Sequence, residues 1–319
     1  MESNGALLPF LTPLSLSIRQ EVETDQFYNY FLPELKKEGY EGIFSPKSRA
    51  KHMSESERKY VDGCAIFWRT NKCTLVKEHL IEFNSWRWRT TTAPRHCFNR
   101  SWTKDNIGLR CSPAPQRHAW GSSDNVPDKG HICQPVLVCT AHIHWDPEFC
   151  DVKLIQTIML MSEVRSIVNQ IIEESRSRGG PKFDLHDIHL LLCGDLNSLP
   201  DSGVVEFLTK RSVSMDHMDF KGLGYKTPLQ KIALSKNHNS GLVNTSANIY
   251  THSFRLAATY DFNIMPYTNF TYEFKGIIDY IFHSCNGIRT LGVLGPVDPD
   301  WFSSNKVVGC PHPHIPSGE

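Results

Sequence analysis

The sequence has no C-x-x-C pair, no net charge, no internal repeat and no apolar run long enough to span a bilayer. Its ten cysteines are irregularly spaced, and most, such as Cys64, Cys139 and Cys193, sit inside apolar runs. That placement suits reduced, buried thiols rather than disulfides, which favours the cytoplasm, with the nucleus as a second compartment. Lys plus Arg and Asp plus Glu both total 34, so no global positive field draws the chain onto nucleic acid, and any such contact must be local. The opening "ALLPFLTPLSLSI" follows Glu2 without a basic flank and is broken by two prolines, so it is not read as a secretory leader.

What is present fits a soluble globular protein: 319 residues, 40% hydrophobic and 21% charged, enough to bury a large core. Strand and helix patterns alternate. Glu21 to Tyr40 reads as a helix, with Thr24 as N-cap, a stripe of Phe27, Phe31 and Leu35, Pro33 as a blemish and Gly39 as the stop. Val61 to Thr70, the start of Pro135 to Trp145, Ile188 to Cys193 and Lys275 to Ser284 read as strands. Asp151 to Ile172 carries Ile155, Ile158, Met159, Val164, Ile167, Val168 and Ile171 at helical spacing, which predicts one face packed on a sheet. Segments 85–102 and 110–131 show neither period and read as long loops, which are uncommon in compact domains. A mis-assigned exon boundary is the preferred explanation, with a surface insertion as the alternative.

Four segments place polar groups at the end of, or within, apolar ones: "RQEVE" with Glu21, "AHIHWDP" with His142 and His144, "GDLNSLPD" with Asp195 and Asn197, and "GIIDYIF" with Asp279. Phosphoester hydrolysis needs such groups, because carboxylates must hold a hard cation and a water must be polarised in line with the leaving oxygen. Each alone is ambiguous. A glutamate at a helix start can equally serve the helix dipole. His142 and His144, two apart on a strand, could both be hydrogen-bonded core histidines. An aspartate in a buried strand needs a partner, and a structural partner is as common as a catalytic one. "HPHIP" offers histidines with no nearby acid or cysteine, so it is not read as a zinc site.

Taken in order, "QEVE", "GIFSPKSR", "ERKYVDGCAIFWRT", "TKDNIG", "AHIHWDPEFCDVKL", "LCGDLNSLPDSGVVEFL", "MPYTNFTYEFKGIIDYIF" and "GCPHPHIPS" closely resemble the nuclease domain of the carbon catabolite repressor type deadenylase, catalytic subunit of the Ccr-Not complex and a branch of the endonuclease/exonuclease/phosphatase superfamily. The resemblance implies an α+β fold, a four-layer α/β/β/α sandwich (DNase I-like), over residues 19–319 after an unmatched leader, 1–18. It implies magnesium held by Glu21, a water positioned and polarised by Asp195 and Asn197, and a scissile phosphate contacted by His142. Pro147 and Phe274 would stack on the terminal adenine, and Asp279 would orient a histidine near the end of the domain. The implied reaction releases AMP from the 3′ end of poly(A) RNA.

The family pattern continues after "HPHIPS" with an aspartate and the catalytic histidine, whereas this sequence continues with Gly318 and Glu319. An asparagine-bearing strand at the family's start is not matched before Arg19 either. The expectation is therefore a sandwich incomplete at its first and last strands, with weak or no activity. The alternative is a pseudo-enzyme that binds poly(A) RNA or Ccr-Not subunits. The leucine-rich repeats by which many members dock are not found in the sequence, so complex subunits are a secondary expectation beside RNA. A phosphatase or abasic-site endonuclease of the same superfamily is disfavoured, because "WDPE" and "YEFKG" match the adenine-handling segments.

Overall fold

A computed structural model describes residues 15–83, 107–115, 136–179, 183–225, 229, 243–244, 248–313 and 315. Segment 85–102 and most of 110–131 lie outside it.

β1 (Leu16–Glu23) leads directly into a helical stretch formed by α1 (Thr24–Gln26), a π-helical turn (Phe27–Phe31) and α2 (Leu32–Lys37). The expected helix over Glu21 to Tyr40 is thus corrected at its start. Residues 16–23 pair with another strand, and Glu23, not Thr24, is the N-cap; the Thr24 hydroxyl donates to the Val61 carbonyl instead. β1 also begins three residues inside the stretch read as leader. Pro33 has no N–H to continue the α ladder, and the turn before it widens, with the Leu32 N–H reaching back to Phe27 O. Gly39, at φ +80°, closes the helix as expected.

β2 (Tyr40–Pro46) and β3 (Asp62–Arg69) complete a three-stranded antiparallel sheet in the order β1-β3-β2. β4 (Cys73–Glu82), β5 (Ile107–Pro115) and β6 (Val136–His142) begin a larger sheet. Residues 110–115 therefore belong to a strand, paired with β4 and, at Arg110 and Cys111, also with β6, and not to the loop expected from their turn-rich composition. The chain returns through α3 (Cys150–Ser177) to β7 (His189–Asp195), then runs through α4 (Gly203–Lys210), β8 (Ser212–Ser214), β9 (Val243–Asn244), β10 (Ile249–Thr251), β11 (Leu256–Ala258), β12 (Asn269–Phe270), β13 (Lys275–Gly276) and β14 (Asp279–Ser284). The larger sheet has the order β11-β14-β7-β6-β5-β4, with β6 and β7 parallel.

The expected strand Lys275 to Ser284 is split at Ile277–Ile278. The Thr268 hydroxyl accepts from the N–H groups of both Ile278 and Asp279, taking over two donors at the break.

Period-two alternation sorts each strand into layers. In β3, Ala65 and Phe67 pack under the helical stretch with Phe27, Leu35 and Tyr40, while Cys64 and Ile66 meet Val138 across the seam between the sheets. In β6, Leu137, Cys139 and Ala141 join the core beneath α3, and so do Leu190 and Leu192 of β7. The outcome is the expected four-layer α/β/β/α sandwich. The one-faced α3 is corrected over its first turns, where Asp151 to Ser162 are buried on every side because the helix also lies under the Met218–Phe220 turn and Tyr225. The described cysteines are free, and burial pushes the thiols of Cys64 and Cys193 up to about 12, which keeps them protonated and unreactive.

Candidate active site

Three expected site residues share one rung of the larger sheet. His142 ends β6 opposite Asp195, which ends β7, and Asp195 is in turn opposite Asp279, which begins β14. Alternation puts all three side chains on the seam side. His142 follows Val136 and Val138 at even spacing, Asp195 follows Leu191, and Tyr280 and Phe282 point the other way, into the α3 core. A ladder register thus sets the geometry: His142 Nε2 lies 3.6 Å from Asp195 Oδ2, too long for a direct hydrogen bond but well within Coulombic reach.

The smaller sheet supplies the fourth group by a different device. Between Arg19 and Val22 the β1–β3 register shifts, so Gln20 and Glu21 bulge out of the ladder. Glu21 adopts φ +55°, a left-handed conformation costly for a side-chain-bearing residue. Gln20 Nε2 donates across the seam to Thr140 Oγ1 at 2.6 Å, tying the bulge to β6, and the Glu21 carboxylate lies 3.9 Å from His142 Nε2 with its side chain 63% exposed. Glu21 is therefore a strand bulge residue and not the helix-start residue expected from the sequence.

Asp279 is held at about 6, well above an ordinary carboxylate, because it is buried and because Glu21 adds like charge; the bond it accepts from Thr268 Oγ1 at 2.8 Å opposes the shift. Asn197, at φ +46°, is fixed on three sides. Its N–H donates to Asp195 Oδ1 (2.8 Å), its Nδ2 to Ile143 O (3.0 Å), and its carbonyl accepts from Lys153 Nζ (2.6 Å). Because Nδ2 is committed, Oδ1 is the end of the amide that can act as an acceptor toward the seam.

Residues 18–304 match the model of the Endonuclease/Exonuclease/phosphatase family. The chain belongs to that family. It is 50% identical over 300 residues to a Xenopus laevis protein named CCR4-NOT transcription complex subunit 6-like-B, covering 93% of this chain and 52% of that protein. It is 37% identical over 309 residues to the CCR4-Not complex 3′-5′-exoribonuclease subunit Ccr4 of Mycosarcoma maydis, covering 93% of this chain and 41% of that one. The chain thus spans about half, or less, of the curated relatives it matches. Among solved structures, the crystal structure of ANGEL2, described as a 2′,3′-cyclic phosphatase in complex with adenosine-2′,3′-vanadate, superposes with a TM-score of 0.65 at 21% identity, covering 96% of this chain and 79% of that one; this shows a shared fold.

Within this family fold the two remaining expected residues are on the surface. Pro147 is exposed and opens a short turn capped by Asp146, whose carboxylate accepts from the Glu148 N–H. Phe274 is 37% exposed, and its ring lies over Gly276, where an added Cβ would come within 2.7 Å of the ring and 3.0 Å of Leu199. Glycine is needed there so that the aromatic ring and Leu199, two residues beyond Asn197, can meet.

His144 stands apart from the rung. It is buried, its N–H donates to Gln156 Oε1, and its ring meets Phe149 edge-on at 5.2 Å, which is the core-histidine reading. Three groups that organise the site were not singled out by sequence: Thr268, Lys153 and Gln156. The last two had a signal, since they are polar positions three apart within the mostly apolar run from Val152 to Met161. Thr268 had none, because its contact with Asp279 depends on how a loop folds back.

Proposed function

We propose that the chain is a magnesium-dependent 3′ to 5′ exoribonuclease that shortens poly(A) RNA and releases AMP. The observation that carries this reading is the rung His142–Asp195–Asp279, faced across the seam by Glu21 and extended by Asn197. The names of the relatives support it.

The donor set fits magnesium. Glu21, Asp195, Asp279 and Asn197 offer hard oxygen ligands, and the like charge of Glu21 and Asp279 is what a cation offsets. Among the described residues no group of three or more Asp, Glu, His or Cys side chains is gathered as a metal cluster. Glu21 would hold the ion, which when bound neutralises phosphate charge. Asp195 and Asn197 hold and polarise the attacking water, Asp195 through its acceptor oxygens and Asn197 through Oδ1. His142, at the seam-facing end of β6, donates to the scissile phosphate. Pro147 and Phe274 present apolar faces to the terminal adenine, a kind of stacking worth about 1–3 kcal/mol per base.

A second reading, non-catalytic binding of poly(A) RNA or of Ccr-Not subunits, draws support from Asp279. Its carboxylate is bonded by the Thr268 hydroxyl, where the family resemblance would place a histidine. Incubating the chain with magnesium and 5′-labelled oligo(A) separates the two. Progressive shortening, reduced roughly a thousandfold or more in Asp195→Ala, supports the nuclease. Retention of oligo(A) without shortening supports the binder, and neither outcome sinks both.

A further inference from the structure

Lys153 has no part in the chemistry described so far, yet its place is an expensive one. It lies in the first turn of α3, 6% exposed, between the buried apolar residues Val152 and Leu154. An ammonium in such a position is tolerated only when it finds charge or hydrogen-bond partners. Burial lowers its pKa, and the carboxylates of Asp146, Asp195 and Asp219 act in the opposite direction, favouring the charged form. Its hydrogen bond, 2.6 Å from Nζ, goes to the backbone carbonyl of Asn197.

That carbonyl belongs to a residue whose backbone must be held. Asn197 sits in the left-handed region directly after β7, and its N–H closes a two-residue turn on Asp195 Oδ1. Rotating Asn197 about its N–Cα bond out of this form would turn its carbonyl away from Lys153 and its side-chain amide away from Ile143 O. Two neighbours reinforce the same turn: the Leu196 N–H donates to Ile278 O at 2.8 Å, and the Ile143 N–H to Asp195 O at 2.9 Å. Gln156, one helical turn beyond Lys153, holds the other strand end by accepting from the His144 N–H. The first turns of α3 therefore brace the ends of β6 and β7 from behind.

We propose that Lys153 is a positioning residue for phosphodiester hydrolysis at this site: by bonding the Asn197 carbonyl it locks the Asp195–Asn197 turn in its left-handed form, and so aims the Asn197 amide and the Asp195 carboxylate into the seam. The proposal rests on the nuclease reading and adds a residue to it. Lys153 acts through Asn197 and not on the substrate. A lysine retained only to fill space under α3 would be replaced without loss by methionine, which has a similar unbranched stem.

The test uses four forms of the full chain: wild type, Lys153→Met, Asn197→Ala and the double variant, each assayed on oligo(A) with magnesium. Lys153→Met is expected to lower kcat about 10- to 100-fold, the range of one charge-assisted hydrogen bond, with KM changed less than about twofold. In the Asn197→Ala background the same substitution is expected to cost less than it does in wild type, because the part of its effect that runs through the Asn197 amide is already gone while the part through Asp195 remains. Unchanged kcat in Lys153→Met, or losses that simply multiply in the double variant, overturn the proposal. An activity-independent arm measures amide hydrogen exchange. The Asn197 N–H should exchange about tenfold faster in Lys153→Met while the Leu192 N–H inside β7 is unaffected. Equal protection at Asn197, or acceleration at both amides, overturns the positioning role. If wild type fails to shorten oligo(A), the nuclease reading fails, and the exchange arm still decides whether Lys153 holds the turn.

Discussion

The seam between the two sheets and the helix-covered faces outside them are built from the same strands, yet they do opposite work. On the outer face of the larger sheet, Leu137, Cys139, Ala141, Leu190, Leu192, Tyr280 and Phe282 form a continuous apolar layer with α3. In the seam, among the described residues, the fully buried apolar cluster is Cys64, Ile66 and Val138 with partly buried neighbours, and it grades through the Gln20–Thr140 bond into His142, Asp195, Asp279 and Glu21. Alternation along a strand is what lets one segment serve both. The difference teaches that stability rests outside the sheets, while the seam between them holds the polar groups of the proposed chemistry. Substitutions that respect this division should separate the two properties.

The largest expected separation comes from Phe67, on the outer face of the smaller sheet. It is fully buried and stacks on Phe27 at 5.5 Å, and Phe27 stacks in turn on Phe44 at 4.8 Å. Phe67→Ala should lower the unfolding free energy by about 3–5 kcal/mol, read from urea melts. The kcat on oligo(A) under folding conditions should stay within about threefold, since Phe67 faces away from the seam. A collapse of kcat in a folded variant would break the division.

A smaller effect sharpens it by contrasting two histidines. His142 faces the seam, while His252 packs behind the larger sheet, edge-on to Phe207 at 4.8 Å. Its tautomer follows from its partners: Nε2 lies 2.9 Å from the Phe207 carbonyl and must donate, and Nδ1 accepts from the Phe254 N–H. Protonation would convert Nδ1 into a donor and break the second bond. Burial chiefly, with the positive charge of Arg211, lowers the pKa from 6.5 to about 4, against which the Phe207 bond works. Between those values the unfolded chain binds the proton and the folded one does not, so stability is present above pH 6.5 and drains as pH falls toward 4. This residue accounts for about 3 kcal/mol over that window. In His252→Asn the excess acid sensitivity should vanish, so the stability gap between the two chains should narrow as pH is lowered. A gap that stays constant from pH 7 to 4 would show that His252 is not held neutral.

Legibility in the sequence follows the same line. The rung could be read, because an apolar run that ends on a polar group, as at Cys193-Gly194-Asp195, marks a buried strand reaching a site. The four layers could be inferred from motif order. Glu21 reads as a helix start because Phe27, Phe31 and Leu35 carry helical spacing just beyond it, and a bulge leaves no periodic trace of its own. The break at Ile277–Ile278 was hidden for a related reason, since the apolar run is continuous and the interruption comes from the Thr268 hydroxyl nine and more residues away. Arg110 to Pro115 reads as a loop from its turn residues, yet pairing with β4, joined by β6 at Arg110 and Cys111, draws its backbone into the sheet. In each case a partner distant in the chain overrode a local pattern.

The smallest expected change in stability, and the sharpest test of the seam, is Glu21→Gly. Glycine adopts φ +55° without strain, so the substitution removes a local cost of about 1 kcal/mol, and it adds backbone entropy to the unfolded chain worth about 0.5–1 kcal/mol in the other direction. The two nearly cancel, and the thermal midpoint should move by no more than a degree or two measured without magnesium, about half a kcal/mol at most. The magnesium concentration needed for half-maximal shortening of oligo(A) should rise by roughly a hundredfold or more, because the carboxylate that the bulge delivers to within 3.9 Å of His142 is gone. Strain at Glu21 would then be a feature kept for ion binding. A variant that gains stability and keeps its magnesium requirement would instead make the bulge an accident of packing, and would move the ion to Asp195 and Asp279 alone.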